Sequence, residues 1–238
     1  METNEEIRIN KYIASSGYCS RREADKLIES GLVTVDDVTA VNGTKVLPGS
    51  VVKVKGETIS LLDNHIYIAL YKPLGITCTT DRRDPDNIVD YLDLPDRIFP
   101  IGRLDKNSSG LILLTNDGDI VNKLLRAEHG HEKEYLVTVD KPIDDEFIEK
   151  MSGGLPILDR ITLPCTVKQT GTKSFSIILK QGLNRQIRRM CEYLGYKVVK
   201  LKRIRFMNIE LKDMKPGEYR YLTVHEKQIL FSLIKDNK

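Results

Sequence analysis

Cysteine is scarce and scattered: Cys19, Cys78, Cys165 and Cys191 stand singly, with no CxxC pair among them. That spacing argues against a zinc site, and a chain of 238 residues implies no disulfide framework. The opening METNEEIRIN lacks the apolar stretch of a signal peptide, and no apolar run approaches bilayer-spanning length. A cytoplasmic protein without a membrane partner is expected. There is no internal repeat and no low-complexity segment. Gly102, Gly110 and Gly118 do not make a phosphate loop, and no dinucleotide-binding fingerprint follows a strand. His129 and His131 flank Gly130 without a third suitably spaced ligand, so neither metal nor cofactor is expected. Excess charge is also missing. The net +3 predicts no polyanion partner by itself.

What is present is unevenly distributed. Between Lys180 and Arg205 nine residues are Lys or Arg and one, Glu192, is acidic, whereas residues 1–62 are nearly balanced. Clustering of this kind, rather than the total, is the electrostatic sign of a polyanion partner. The 40% apolar fraction is ordinary for a globular protein, and the length suits one large or two modest domains.

Residues 1–62 read as a small module. Ile7, Ile9, Tyr12, Ile13 and Ala14 fit an amphipathic first helix ended by Gly17, and Ser20 caps a second over Arg21–Glu29, closed by Gly31. Strand-like runs follow at Leu32–Val35, Val38–Val41 and Val51–Val54, divided by Asn42-Gly43 and Pro48-Gly49 turns. A polar linker at Leu62-Asp63-Asn64 leads to a larger domain over 65–238. Its strands are expected at Tyr67–Tyr71, Leu111–Leu114, Lys133–Val139, Cys165–Lys168, Ser174–Leu179, Val198–Ile204 and Met207–Glu210. Its helices are expected at Asn87–Leu92, Asp117–Leu125, Asp144–Gly153 and Arg185–Leu194. The mixture lacks strict βα alternation, which argues for an α+β fold. The Lys-rich last residues are expected to fray.

The chemistry concentrates in GRLDKNSSGL, Gly102–Leu111, where Asp105 stands between Arg103 and Lys106 in a polar loop between apolar runs. Loops on a rigid scaffold present catalytic groups, and a carboxylate there can act as nucleophile or base. In the first module Arg8, Lys11, Arg21 and Arg22 can gather around the turn between helices, beside a helix N-terminus that favours phosphate. Read alone, they describe a solvated helix face equally well. Likewise Tyr71-Lys72-Pro73-Leu74-Gly75 alone is a strand-ending turn, Tyr135 in KEYLVTV alone is core, and Arg185, Arg188 and Arg189 alone form one basic helix face. Cys191 in RRMCEYL faces the core, which argues against its serving as a thiol nucleophile.

RINKYIASSGYCSRREADKLIESGLVTV, with VNG and GSVVKV after it, resembles an S4 RNA-binding domain. The stretch 36–40 departs from that pattern, because the family usually turns directly into VNG. KPLG, GRLDKNSSGLILLTNDG, KEY and QGLNRQIRRM then stand in the order found in the RsuA/RluB/RluE/RluF group of pseudouridine synthases. HEKEYLVTVDKPI and QGLNRQIRRMCEYLGYKVVKLKRIRFMN look closest to the RluF branch of that group, with Leu183-Asn184-Arg185-Gln186 where other branches commonly place a His before the Gln.

The resemblance implies an S4 module followed by a catalytic domain with a mostly antiparallel mixed sheet flanked by helices. It implies isomerisation of a uridine to pseudouridine without metal or cofactor, in 23S ribosomal RNA or its precursor, with a transfer RNA anticodon uridine as a second target. Asp105 would be the nucleophile, at the sugar C1′ or at C6 of the ring. Tyr135 would pack on the base and help remove its C5 proton, and Arg188 would pair with Asp105, bidentately if both nitrogens engage. Arg8, Lys11, Arg21, Arg22, Lys72, Arg103, Arg185 and Arg189 would contact RNA, and a monomer would suffice. The competing expectation is a non-catalytic RNA-binding or ribosome-assembly factor, from which the presence of Asp105 together with Arg188 discriminates.

Overall fold

The computed structural model describes residues 6–125 and 130–235. By contact density the chain divides into two units. The first runs to Ile66 and includes residues 95–97 and 116–118; the second holds the remainder.

In the first unit β1 (Ile7–Arg8) leads directly into α1 (Ile9–Ser15), so the first helix begins two residues later than its apolar pattern suggests. Ile7 and Arg8 are instead taken by antiparallel pairing with β4 (Lys45–Val46). The second helix, α2, spans Arg21–Glu29 as expected, and Ser20 and Glu23 close a reciprocal capping box at its start. β2 (Val33–Val35), β3 (Val38–Thr39), β5 (Val52–Val54) and β6 (Glu57–Ile59) form a sheet in the order β3-β2-β5-β6. Ile9, Ile13, Ala24, Ile28, Val33 and Val52 make its core. The divergent stretch 36–40 is a tight hairpin. Asp36 and Asp37 both adopt positive φ, the requirement of a two-residue turn matched to strand twist. The Asp36 carboxylate accepts from the Val51 amide at 2.8 Å, and Asp37 pairs with Lys53 at 2.6 Å.

The second unit contains, in order, β7 (Tyr67–Lys72), α3 (Ile88–Leu92), β8 (Phe99–Ile101), β9 (Ser109–Thr115), α4 (Gly118–Leu125), β10 (Lys133–Val139), α5 (Asp145–Gly153), β11 (Pro156–Ile157), β12 (Arg160–Ile161), β13 (Thr166–Gly171), β14 (Ser174–Leu179), α6 (Gln186–Tyr193), β15 (Val198–Phe206), β16 (Ile209–Glu210), β17 (Tyr219–Tyr221) and α7 (Val224–Lys235). Its main sheet runs β13-β14-β10-β15-β9-β7-β17, with β8 added to β9 and β16 to β15. Every pairing among the described residues of this sheet is antiparallel except β9 with β15.

That parallel joint sits at Gly110 opposite Arg203. A Cβ on Gly110 would come within 2.2 Å of the Arg203 carbonyl oxygen, and its φ is +108°, so only glycine lets the strands meet there. One core lies between β10, β14, β15 and helices α5 and α6, through Val137, Phe147, Phe175, Ile177, Met190 and Leu201. A second joins β7 and β9 to α4 and α7, through Tyr67, Leu111, Leu113, Leu124 and Leu230.

The expected strands Val198–Ile204 and Met207–Glu210 become one strand to Phe206 and a short return, β16, divided by Met207 at positive φ. β8, β17 and α7 had no counterpart in the strand and helix patterns. α7 nevertheless carries a sequence signal: Thr223 Oγ1 accepts from the Glu226 amide at 3.1 Å, and the Glu226 carboxylate accepts from the Thr223 amide at 2.9 Å, a T-x-x-E capping box. The expected fraying of the last residues falls largely outside the described chain.

Candidate active site

The loop carrying Asp105 links β8 to β9, two antiparallel neighbours, so both of its ends are anchored in the sheet. Three further ties hold it. The Gly75 amide donates to the Lys106 carbonyl at 3.0 Å, the Leu104 amide donates to Cys78 Sγ at 3.3 Å, and Lys106 pairs with Asp86 at 2.8 Å. The KPLG turn is thus a brace for the Asp105 loop. Its lysine is not an RNA contact: Lys72 is fully buried, and its ammonium donates to the carbonyls of Pro73 at 2.9 Å and Ile76 at 2.8 Å. Burial pushes its pKa below the ordinary lysine value, with Cys78 and Asp105 drawing it partly back. The expectation of an RNA contact at Lys72 is corrected because the residue is fully buried and two backbone carbonyls accept hydrogen bonds from its ammonium.

Asp105 is less buried than its apolar flanks suggest, with a third of its side chain exposed. Two cations face it: Arg188 Nε at 3.5 Å and Arg185 Nη1 at 3.7 Å from Oδ2. The Arg188 contact is therefore not bidentate. Its Nη2 is committed to the Asn107 carbonyl at 2.7 Å and Ser108 Oγ at 3.0 Å, so the guanidinium clamps the loop's backbone and offers only Nε to the acid.

Nor do the three arginines share one helix face. Arg185 precedes α6 in a left-handed conformation with φ 51° and points out beside Asp105, and Arg188 is buried. Arg189 folds back onto Asn184, with Nε 3.1 Å from its carbonyl and Nη2 3.3 Å from Oδ1. Arg188 and Arg189 are adjacent, a step of about 100° around a helix, and this separates them.

Tyr135 lies on β10 across from Arg203, at a β-bulge where Glu134 faces Arg205, leaving Ile204 as the extra residue. Its ring packs partly against the adjoining core and also lines a cavity of about 90 Å³ shared with Arg103, Asp105, Ser108, Gln181, Arg185 and Gln186. Gln186 braces that cavity, accepting from the Leu183 amide at 3.0 Å and donating to Gln181 Oε1 at 3.3 Å. Arg103 is exposed on the rim.

Sequence reasoning missed Gln181, Gln186 and Arg203. Arg203 stands in KLKRIR, which reads as a solvated cationic strand, yet only 3% of it is exposed. Cys191 is wholly buried, and burial pushes its thiol up to about 12, which removes it from nucleophilic chemistry. His129 lies outside the described residues, and His131 is buried with its ring Nε2 3.2 Å from the Lys123 carbonyl.

In the first unit Arg8, Arg21 and Arg22 are exposed and Lys11 is half-buried. The amides at the start of α2 are partly engaged by the capping box, so a phosphate there would depend chiefly on the arginine side chains.

A carboxylate held between two arginines and sharing a cavity with a tyrosine is an arrangement that suits covalent or acid–base chemistry. Residues 66–193 match the RNA pseudouridylate synthase family and residues 7–59 match the S4 domain. The chain belongs to the RNA pseudouridine synthases, and its activity is to isomerise uridine in RNA. It is 56% identical, over 99% of its own length and 82% of the relative's, to the dual-specificity RNA pseudouridine synthase RluF of Salmonella typhi. It is 35% identical to the ribosomal large subunit pseudouridine synthase B of Bacillus subtilis, over 97% and 98% of the two chains. A solved pseudouridylate synthase superposes with a TM-score of 0.70 at 27% identity, covering 94% of this chain and 99% of that one. Relatedness to such enzymes over nearly the whole chain supports the catalytic reading over the non-catalytic alternative. Among the described residues no helix is long and apolar enough to cross a membrane.

Proposed function

We propose that Asp105 is the nucleophile of this synthase, that Tyr135 contacts the flipped uracil and assists loss of its C5 proton, and that Arg188 and Arg185 orient the acid. The single observation carrying this reading is that one cavity is lined by both Asp105 and Tyr135, with two guanidinium groups within 4 Å of the carboxylate. The uridine leaves its stack at a cost of a few kcal/mol, offset by cations that hold the flanking phosphates.

Attack at C1′ forms an Asp105 ester as the C1′–N1 electron pair departs with uracil. The turned ring then bonds C1′ through C5, expels the carboxylate and loses the C5 proton. Attack at C6 instead sends the ring's C5–C6 electron pair onto O4; C1′ then passes from N1 to C5, the C5 proton leaves, and the carboxylate is expelled from C6 as the double bond re-forms. Both routes end in a net isomerisation.

The exposed Arg8, Arg21, Arg22 and Arg103, with Lys11, Arg185 and Arg189, are the proposed RNA contacts; Lys72 leaves this set. We assign RNA binding to residues 1–62 and catalysis to 65–238, in a cytoplasmic monomer clasping a large RNA. The B. subtilis relative's name supports a uridine in large-subunit ribosomal RNA, and the dual specificity of the S. typhi relative supports a second RNA, for which we propose a transfer RNA anticodon.

The test is pseudouridine mapping by carbodiimide-modified primer extension on ribosomal and transfer RNA from a deletion strain. A site that vanishes on deletion and returns with wild type but not with Asp105→Asn supports the assignment. Restoration by Asp105→Asn would overturn it.

A further inference from the structure

We propose that Lys133 and Arg203 form a fixed cationic floor beside the active-site cavity and stabilise the negative charge that the pyrimidine ring takes up during isomerisation. This rests on the assignment of Asp105 above. Neither residue is proposed to touch the base; both would act as positioning residues through the field they hold.

Their placement follows from strand register. Lys133 lies two residues before Tyr135 on β10, hence on the same face, and its partner on β14 is Leu179, which lines the cavity. Arg203 is the register partner of Tyr135 on β15, two residues after Leu201, another lining residue. Both cations sit over one ring, with Lys133 Nζ 5.6 Å and Arg203 Cζ 5.8 Å from the Phe206 centroid.

Arg203 Nε donates to the Leu111 carbonyl at 2.6 Å, while its Nη2 is shielded from solvent and has no hydrogen-bond partner among the described residues. Lys133 Nζ donates to the His131 carbonyl at 3.1 Å. Among the described residues neither cation has an ion-pairing carboxylate. The neighbouring acids Glu132 and Glu134 are taken by Arg205, at 3.1 and 2.9 Å. The charged neighbours of Lys133 on the adjoining strands are cations, Lys180 after Leu179 on β14 and Arg203 and Arg205 on β15, and the acid that lines the cavity with Tyr135 and Leu179, Asp105, is paired with Arg185 and Arg188.

Arg203 is buried and Lys133 half-buried, and two like charges so placed without a paired counterion are costly to hold. Burial, and then repulsion from Arg203, pull the Lys133 pKa down to about 8. Catalysis supplies the missing anion by either route. Attack at C1′ leaves uracil with the electron pair of the broken glycosidic bond, and attack at C6 makes an O4 enolate. A prearranged positive field lowers the barrier to both, because it requires no reorganisation as the charge develops. Such a field, partly screened, contributes roughly tenfold in rate per cation.

The experiment is a single-turnover rate measurement between pH 6.5 and 9. It uses excess full-length enzyme and ribosomal and transfer RNA purified from the deletion strain, with product read by primer extension. We expect the wild-type rate to fall as pH rises through about 8 and Lys133 loses its proton. Lys133→Arg should move that alkaline limb to higher pH. Lys133→Gln should be roughly tenfold slower at neutral pH with no limb near 8, while RNA affinity in filter binding stays unchanged. A wild-type rate for Lys133→Gln, or an alkaline limb left in place by Lys133→Arg, overturns the proposal, and the Gln variant decides alone if the larger side chain prevents folding. Asp105→Asn is run beside them: its turnover would remove the reading this rests on, whereas an inert Asp105→Asn with a wild-type Lys133→Gln would remove the cationic floor alone.

Discussion

Arg188 reaches Asp105 with one nitrogen only, Nε at 3.5 Å, because its Nη2 is spent on the Asn107 carbonyl and Ser108 Oγ. The guanidinium therefore sets the position of the loop as much as it balances the charge of the acid.

Arg188→Lys is expected to lose both functions, since an ammonium cannot span the loop carbonyl, the serine and the carboxylate together. Turnover should fall about a hundredfold with RNA affinity retained, and stability should drop by about 2 kcal/mol for the lost charged hydrogen bonds. Single-turnover rates, filter binding and urea unfolding measure the three. An unchanged stability would mean that the loop does not depend on the clamp.

Gly110→Ala tests the joint between β9 and β15. The added Cβ would meet the Arg203 backbone at 2.2 Å in a conformation that L residues rarely adopt. A loss of about 3 kcal/mol or more is expected, combining backbone strain with overpacking. Ser109 lies beside it in the same parallel pairing, and Ser109→Ala should be much milder. Equal thermal midpoints for Gly110→Ala and wild type would contradict the close approach.

Acid should loosen the C-terminal helix. Hydrogen bonds from Arg220, joined by the Thr223 amide, hold the Glu226 carboxyl down at about 2. Because its folded pKa lies below the unfolded one, the stability it adds is present above about pH 4.5 and is lost as pH falls toward 2. Glu226→Gln should therefore be less stable than wild type by on the order of 2 kcal/mol near neutrality, with the gap closing below about pH 4. Thermal unfolding of both proteins from pH 6 to pH 2.5 checks the sign, and a gap that widened in acid would refute it.

Cys191→Ala should leave the rate of pseudouridine formation within about twofold of wild type while costing about 1–2 kcal/mol of stability, as expected for a small group removed from a closed core. Loss of turnover in a protein that still melts cooperatively would return the thiol to the chemistry.

Local patterns were legible wherever the physics is local. The second helix follows from Ser20 and its capping box, the strand Lys133–Val139 from β-rich alternation, and both lie where the residues alone put them. α7 carries a local signal in Thr223 and Glu226, but its apolar residues follow no clean helical stripe, so the pattern alone does not mark a helix. β17 is three residues long, and only its pairing with β7 makes it a strand.

The site divides along the same line. The sequence by itself determined which residues could carry the chemistry, because Asp105 with its flanking glycines and serines, Tyr135 in KEY and the arginines of QGLNRQIRRM are contiguous patterns. Tertiary structure alone decided what each does there. Arg188 meets Asn107 across 81 residues, Arg203 meets Leu111 across 92, and Lys72 is turned into the protein by the strand that bears it. Such contacts depend on sheet order and on one glycine-permitted parallel joint, and no local spacing encodes them.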